Sequence, residues 1–262
     1  MAVLSPHLDD GVLSLGGTLA RWANDGAAVR LVTVLANDPG SVAPAGPWDT
    51  ACGFTTSGEA TRARRLEDSG ACAVLGAEPV WLPFGDEQYG RGADDDAIWA
   101  GVRAAIDGAG TVLLPGFPLT NPDHEWLTSL VLDRADGSPR LGLYREQPYA
   151  VSHLMGRRRH GRSKAPATGV LDLGVFALTG RVRHDGAHRA PPSPARPAVK
   201  WGACPLTVGQ WWAKQAAIRQ YASQLGNLGA SFRLRLALYE LGARGEAVAW
   251  PVTDEAAPPA TA

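Results

Sequence analysis

Cysteine is scarce in this sequence, and its three cysteines, Cys52, Cys72 and Cys204, lie far apart. A sparse, odd set without close spacing argues against a disulfide scaffold and against a zinc site built from cysteines. Long apolar runs are also lacking. No stretch approaches the roughly 20 residues that a transmembrane helix needs, so we expect no membrane span. Because 45% of the residues are hydrophobic, the chain can still bury an ordinary core.

An excess of charge of either sign is missing as well, because 25 Lys and Arg residues face 26 Asp and Glu residues. This balance gives no reason to expect nucleic acid or an anionic membrane as a partner. We interpret the basic segment 157–164 as a solvated loop, with anion binding as the alternative. No charged leader precedes the N-terminal apolar run, so we expect no secretion signal and a cytoplasmic protein. Oligomerisation remains possible.

Short apolar runs alternate with amphipathic segments in the first half of the chain. This order predicts an α/β fold with a mostly parallel, doubly wound sheet flanked by helices. We expect strands at roughly 1–5, 29–35, 79–83, 111–114 and 141–144, and helices at 11–25, 62–75, 94–108 and 122–135. Ser57 and Asn121 are the expected N-caps of the second and fourth helices. The long segment 36–58 is expected to form a rim or lid over the strand ends, with a surface insertion as the alternative.

The second half of the chain is less regular, and we interpret it as an extension, 146–253, that packs on the domain formed by 1–145. The extension contains a helix at 207–225 capped by Thr207 and substrate-facing loops. The remaining expectations are a strand at 170–178, a Pro- and Arg-rich connector at 187–197, a helix or strand at 232–241, and a disordered tail at 254–262.

Polar side chains cluster directly after two of the predicted strands. His7, Asp9 and Asp10 follow the first strand, and Asp123 and His124 follow the fourth. Since ligands of open α/β sheets bind outside the carboxyl ends of the strands, both clusters can meet in one crevice. Two imidazoles and one carboxylate form a set that leaves an open position on zinc, although other divalent ions also suit it.

His7 and Asp10 are three residues apart at a helix start, which places them on one face. Asp9 then points elsewhere and can act as the general base that takes a proton from water activated by the metal. A helix N-terminus favours acidic residues in any case, so each motif alone has a simple capping explanation. Their joint placement after two parallel strands favours a metal site.

Three motifs carry a resemblance to a known family: Ser5-Pro6-His7-Leu8-Asp9-Asp10, Leu15-Gly16-Gly17-Thr18-Leu19-Ala20 and Pro122-Asp123-His124. Together they resemble the PIG-L/LmbE-like metal-dependent N-deacetylases. The resemblance implies a Rossmann-like core at 1–145 and a zinc-dependent hydrolase that removes N-acetyl groups from N-acetylglucosamine-type sugars on small molecules or natural products. Leu8 stands where the family usually has proline, as in the branch that acts on glycopeptide-antibiotic sugars, which implies antibiotic biosynthesis.

The resemblance also implies roles for individual residues. His7, Asp10 and His124 match the metal ligands, and Asp9 matches the general base. Sugar contacts are expected from two matched positions, Arg64 and Asp86, and from Trp48, whose indole face suits a sugar ring. Each of these three has a plain structural alternative, namely an ion pair of Arg64 with Glu67 or Asp68 along its helix, a turn at Asp86, and a packed loop anchor at Trp48.

Asn121 departs from the family pattern, because its position belongs to a histidine that acts as general acid. An amide can donate a hydrogen bond to an oxyanion but cannot deliver a proton. Proton transfer by a general acid or base is typically worth about 10²–10⁴ in rate. Three explanations stay open: a substitute acid, a slow enzyme or sugar-binding relative, or an engineered His-to-Asn change. The candidate acids are His153, His160, His184 and His188. An amidase of a thiol-sugar conjugate would use the same metal site.

Overall fold

The computed structural model describes residues 1–137, 139–151, 199–229, 231–243 and 245–251. Several expectations therefore lie outside the described residues: the strand at 170–178, the connector at 187–197, the basic segment at 157–164, the four later histidines and the tail at 254–262. Within the described part, no helix has the length and apolar character that crossing a membrane requires.

Within the part of the chain that the structure describes, seven strands form a mostly parallel sheet in the order β3-β2-β1-β4-β5-β7-β6. The strands are β1 (Ala2–Ser5), β2 (Arg30–Thr33), β3 (Glu78–Trp81), β4 (Thr111–Phe117), β5 (Arg140–Arg145), β6 (Val199–Cys204) and β7 (Glu246–Pro251). The first five are parallel to one another, whereas β7 is antiparallel to both β5 and β6. The predicted α/β class and parallel core are confirmed, and the antiparallel pair is an addition that the sequence did not predict.

Helices cover both faces of this sheet. They are α1 (Asp10–Asn24), α2 (Pro47–Ala51), α3 (Ser57–Leu75), α4 (Asp95–Ala105), α5 (Pro122–Arg134), α6 (Val208–Ile218), α7 (Ala222–Leu228) and α8 (Phe232–Ala243). One core cluster joins the sheet to α1, α3, α6 and α8, and a second joins it to α4 and α5. Along β1, Val3 belongs to the first cluster and Leu4 to the second, as expected for a strand buried on both faces.

The helix expected at 207–225 is interrupted, and this part of the prediction is wrong. Thr207 does cap α6 through a capping box with Gln210, but α6 ends at Ile218 and α7 begins at Ala222. The break allows Tyr221 to donate a hydrogen bond to Asp68 on α3 at 2.6 Å. The local sequence favours a continuous helix, but this tertiary hydrogen bond outweighs that propensity.

The segment 36–58 also differs from a plain loop. It contains the short helix α2, and Thr56 rather than Ser57 caps α3, since its side chain accepts a hydrogen bond from the backbone of Glu59. The helix therefore starts five residues before the predicted Arg62. The segment 232–241, expected to be either a helix or a strand, lies in α8.

Candidate metal centre

Two neighbouring parallel strands bring the predicted polar clusters together. β1 pairs with β4, so their carboxyl ends lie at the same edge of the sheet. His7 lies in the turn between β1 and α1, and Asp10 is the first residue of α1. His124 lies in the first turn of α5, which follows β4. The Ser5 hydroxyl holds the first turn in place, since it donates to the carbonyl of His7 at 2.6 Å and accepts from Gly11 at 2.9 Å.

His7, Asp10 and His124 present three donor atoms to one point. The Nδ1 of His7 lies 3.1 Å from Oδ2 of Asp10 and 3.3 Å from Nε2 of His124, which is itself 3.1 Å from that same oxygen. Tetrahedral zinc with bonds of about 2.0–2.2 Å separates its donors by about 3.3–3.6 Å. The observed triangle is within a few tenths of an ångström of that geometry, so the three residues fit a divalent ion.

Each histidine of the triangle is held from behind by a further carboxylate. His7 Nε2 lies 2.9 Å from Oδ2 of Asp123, and His124 Nδ1 lies 3.2 Å from Oε2 of Glu146. Metal-binding histidines usually make such an outer contact, which fixes the tautomer and the ring orientation. Asp123 is itself paired with Arg91 at 2.7 Å, and the Arg91 guanidinium lies 4.0 Å from the centre of the Trp126 ring.

These carboxylates control the protonation of the two rings. Burial alone would lower the pKa of His7, but its hydrogen bonds to Asp10 and Asp123 outweigh burial and raise that pKa to about 9. Burial of His124 is likewise outweighed by Asp10 and Glu146, which raise its pKa to about 10. The buried carboxylates therefore require nearby positive charge. Either protons or a metal ion can supply it, and a metal ion would displace the protons.

Asp9 stands beside the triangle without belonging to it. Its backbone has φ of 137°, a strained value for a residue with a side chain, and its carboxylate makes no capping bond to α1. Burial, together with the neighbouring Asp10 charge, raises the pKa of Asp9 to about 7. Its side chain lines the adjoining cavity. Asp9 is thus not one of the three converging donors.

Asn121 lies at the N-terminus of α5, as expected. Its Oδ1 accepts a hydrogen bond from the backbone of Asp123 at 2.9 Å, and its Nδ2 donates to the hydroxyl of Tyr149 at 3.3 Å. Tyr149 packs its ring edge-to-face on His124, with 5.0 Å between the ring centres. Both Asn121 and Tyr149 line the cavity.

The cavity next to the triangle has a volume of about 510 Å³. Two of the three converging residues, His7 and Asp10, line it together with the three residues expected to contact sugar. Its lining also includes apolar residues, namely Leu13, Pro148, Val151, Leu228, Phe232 and Leu236. The site is thus open to an amphipathic ligand of moderate size.

Trp48, Arg64 and Asp86 all line this cavity. Arg64 is buried and pairs with Asp49 of α2 at 3.4 Å, so the alternative pairing along its own helix is wrong. Asp86 accepts two hydrogen bonds from Gln88, each at 3.0 Å. Trp48 is 39% exposed, and its indole nitrogen donates to Gln224 at 2.7 Å. The segment 36–58 therefore contributes to the rim of the cavity through α2.

Glu146, Arg91 and Tyr149 were missed by the sequence analysis. Glu146 had a positional signal, because it follows β5 directly and therefore lies at the same edge of the sheet as His7 and His124. Tyr149 lies in the same turn. Arg91 lies in the loop between β3 and α4, where no local pattern marks it.

Comparisons with known proteins identify the family and the fold. The profile of the PIG-L family, described as GlcNAc-PI de-N-acetylase, matches residues 2–135. No curated protein sequence matches the chain. Among solved structures, the A40926 pseudoaglycone deacetylase is 25% identical, with 98% of both chains covered and a TM-score of 0.68.

Two structures from the teicoplanin biosynthetic pathway are similar in fold. A deacetylase in complex with bog is 24% identical, covering 97% of this chain and 99% of that chain, with a TM-score of 0.69. The zinc-inhibited form of teicoplanin deacetylase is 22% identical, with the same coverage and the same TM-score. The similarity extends over nearly the whole chain, beyond the residues that the family profile matches.

Proposed function

Because the chain belongs to the PIG-L family, we propose that it is a divalent-metal-dependent hydrolase. In this proposal it removes an N-acetyl or related N-acyl group from a glucosamine-type sugar on a small molecule or natural product. The observation that carries the proposal is the convergence of His7, Asp10 and His124 on one point beside a cavity that Asp9 also lines. The A40926 and teicoplanin deacetylases of similar fold support a natural product as substrate.

Zinc, or another divalent ion at His7, Asp10 and His124, would supply a Lewis acid and lower the pKa of water. Asp9 takes the proton from the attacking water, whose oxygen forms a bond to the amide carbon. The carbon–nitrogen bond then breaks, and the amine nitrogen must receive a proton. Asn121 has no acidic proton to give. Asp9, which has just accepted one, is therefore the proposed donor.

The polar residues that line the cavity are proposed to hold the sugar. Arg64 and Asp86 provide donors and acceptors for hydroxyl groups, and the exposed part of the Trp48 indole provides an apolar face. Asp49 keeps the Arg64 guanidinium in place, and it also accepts a hydrogen bond from Tyr89 at 2.7 Å. The apolar residues that line the cavity would then contact the group attached to the sugar.

Acetate release from a panel of N-acetylglucosaminides with aryl, alkyl and phosphate aglycones tests this proposal. We expect acetate and the free amine in equal amounts from at least one substrate when a divalent ion is bound. Asn121 favours one alternative, a sugar-binding relative without activity. It predicts substrate binding without acetate release. A different carboxylic acid as product would instead indicate an amidase, as for a thiol-sugar conjugate.

Replacing Glu146 with glutamine tests the outer support of the metal site. The variant keeps a hydrogen-bond acceptor near His124 but loses the charge that makes this ring a strong ligand. We expect the affinity for zinc to fall about 10–100-fold, measured by competition with a chelator of known affinity. Glu125→Gln is the matched control, because Glu125 is the exposed neighbour of His124 on α5. Equal zinc affinity in wild type and Glu146→Gln would rule out this role.

A further inference from the structure

Hydrolysis of an amide builds negative charge on the former carbonyl oxygen. Hydrogen-bond donors placed in advance around that oxygen are often the largest single contribution to catalysis. The family pattern implies that a histidine donates this hydrogen bond, and Asn121 stands at the position of that histidine. Tyr149, which also lines the cavity, places its hydroxyl 3.3 Å from the Asn121 side chain and its ring against His124.

A well-anchored turn holds Tyr149 in this position. The backbone of Glu146 donates to Phe117 at 2.7 Å, and the backbone of Gln147 donates to the Ser14 hydroxyl at 3.0 Å. A helical bond from Ala150 to Glu146, at 2.9 Å, closes the turn. Glu146 and Tyr149 are therefore fixed together, and both contact His124, one at its Nδ1 and the other against its ring.

The hydrogen bond from Asn121 shows that the Tyr149 hydroxyl hydrogen does not point toward Asn121. The Asn121 oxygen accepts from the backbone of Asp123, which identifies the atom facing Tyr149 as the amide nitrogen. An amide nitrogen only donates, so the phenol oxygen accepts in this bond and its own O–H is left for another acceptor. A tyrosine side chain is protonated at neutral pH, since its ordinary pKa is about 10. Tyr149 therefore has a hydrogen to donate.

We propose that Tyr149 is a catalytic residue that donates a hydrogen bond to the oxyanion, with Asn121 as its positioning residue. The inference rests on the proposed deacetylation. As the water oxygen bonds to the carbonyl carbon, the carbonyl π pair moves onto oxygen and the water proton moves to Asp9. Collapse restores the C=O bond, breaks the C–N bond and sends the Asp9 proton to nitrogen. Tyr149 keeps its proton throughout.

Tyr149→Phe removes the hydroxyl and retains the ring that packs on His124. With the best substrate of the panel, we expect kcat to fall about 100- to 1,000-fold, as for the loss of one oxyanion donor. KM should stay within about threefold and bound zinc, by elemental analysis, should be unchanged, because the donor acts on the charge that develops after binding.

A binding experiment provides a second readout that does not depend on turnover. The N-methylphosphonyl analogue of the same glucosaminide carries a tetrahedral, anionic centre, whereas the deacetylated amine does not. Calorimetry should show that Tyr149→Phe weakens binding of the analogue by a factor similar to the loss in kcat. Binding of the amine product should be unaffected. Equal weakening of both, or loss of zinc, would overturn the proposal and assign Tyr149 a structural role.

Substitution at Asn121 tests the link between the two residues. Asn121→His restores the family's residue, and because the new imidazole and the Tyr149 hydroxyl would serve the same oxyanion, we expect a smaller gain in kcat when Tyr149 is present. In the Tyr149→Phe background the same substitution should raise kcat at least about tenfold, because an imidazole then supplies the missing donor. An equal effect of Asn121→His in both backgrounds would contradict the proposal.

The failure of this inference is distinct from the failure of the proposed function. If zinc-loaded wild type releases acetate and Tyr149→Phe is equally active, only the role of Tyr149 is refuted. If zinc-loaded wild type releases no acetate from any member of the panel, both proposals are refuted.

Discussion

Asp9→Asn is expected to lower kcat for acetate release by about 10²–10⁴, the range for loss of a general acid–base group. Asparagine has nearly the same shape as aspartate and tolerates a positive φ better than most residues, so the strained turn at φ 137° should persist. It cannot accept the water proton, and it has none to return to the amine. The rate should therefore fall although substrate and metal still bind.

The neighbouring Asp10 provides the matched control for Asp9. Asp10→Asn makes the same chemical change one residue away, but it weakens a metal donor. We expect Asp9→Asn to retain bound zinc and Asp10→Asn to lose it, while both lose activity. The measurement combines acetate release with elemental analysis of the same samples. An Asp9→Asn variant with wild-type kcat would remove Asp9 from the mechanism.

His124→Ala is expected to abolish the stabilisation of the protein by zinc. A ligand at 1,000 times its dissociation constant stabilises the folded state by about 4 kcal/mol, which for a chain of this size raises Tm by about 10 °C. His124 contributes one of three donors, so without it the same zinc concentration should shift Tm by less than about 2 °C. Glu125→Ala, at the exposed neighbouring position, should retain the full shift.

The raised pKa values of His7 and His124 give this zinc effect a pH dependence. Because the folded-state pKa values are about 9 and about 10 against an ordinary value of 6.5, the metal-free protein is stabilised by protonation below pH 6.5. That stabilisation is lost as the pH rises to about 10. Protons compete with zinc for the same nitrogens, so the Tm shift caused by zinc should grow between pH 6.5 and pH 9. A shift that shrinks over this range would contradict zinc binding at these rings.

The convergence of His7, Asp10 and His124 was predictable because its signals are local. His7, Asp10 and His124 each lie within a few residues of a strand end, and parallel pairing of β1 with β4 then brings them together. Asn121 was predictable as an N-cap for the same reason. Its hydrogen bond to Tyr149 was not, because the two residues belong to different turns and meet only once β4 and β5 pair.

The C-terminal strands were missed because their stability is tertiary. β7 begins at Glu246, a charged residue that reads as a surface position in the sequence. In the fold its carboxylate is buried, accepts from the backbone of Gly17 and Thr18 at 2.9 and 2.8 Å, and pairs with Lys214 at 2.8 Å. A charge that is satisfied only by distant residues gives no strand signal in a local pattern.

Close packing explains part of the glycine-rich motif that the resemblance singled out. A Cβ on Gly16 of α1 would lie 2.9 Å from Cγ of Lys214 on α6, and one on Gly17 would lie 2.5 Å from Cδ1 of Leu206. Both glycines therefore allow the C-terminal extension to approach α1. The sequence shows the motif, but the partner that requires it lies almost two hundred residues away.

Acetate release by the wild type before and after removal of its metal tests the central claim most directly. The protein is treated with a chelator, assayed on the best N-acetylglucosaminide of the panel, and assayed again after zinc is added back in steps. Activity should disappear with the metal and return in proportion to zinc, reaching its maximum at about one ion per chain, as three converging donors imply. Acetate release that continues unchanged in the metal-free protein would contradict the proposed metal-dependent deacetylation.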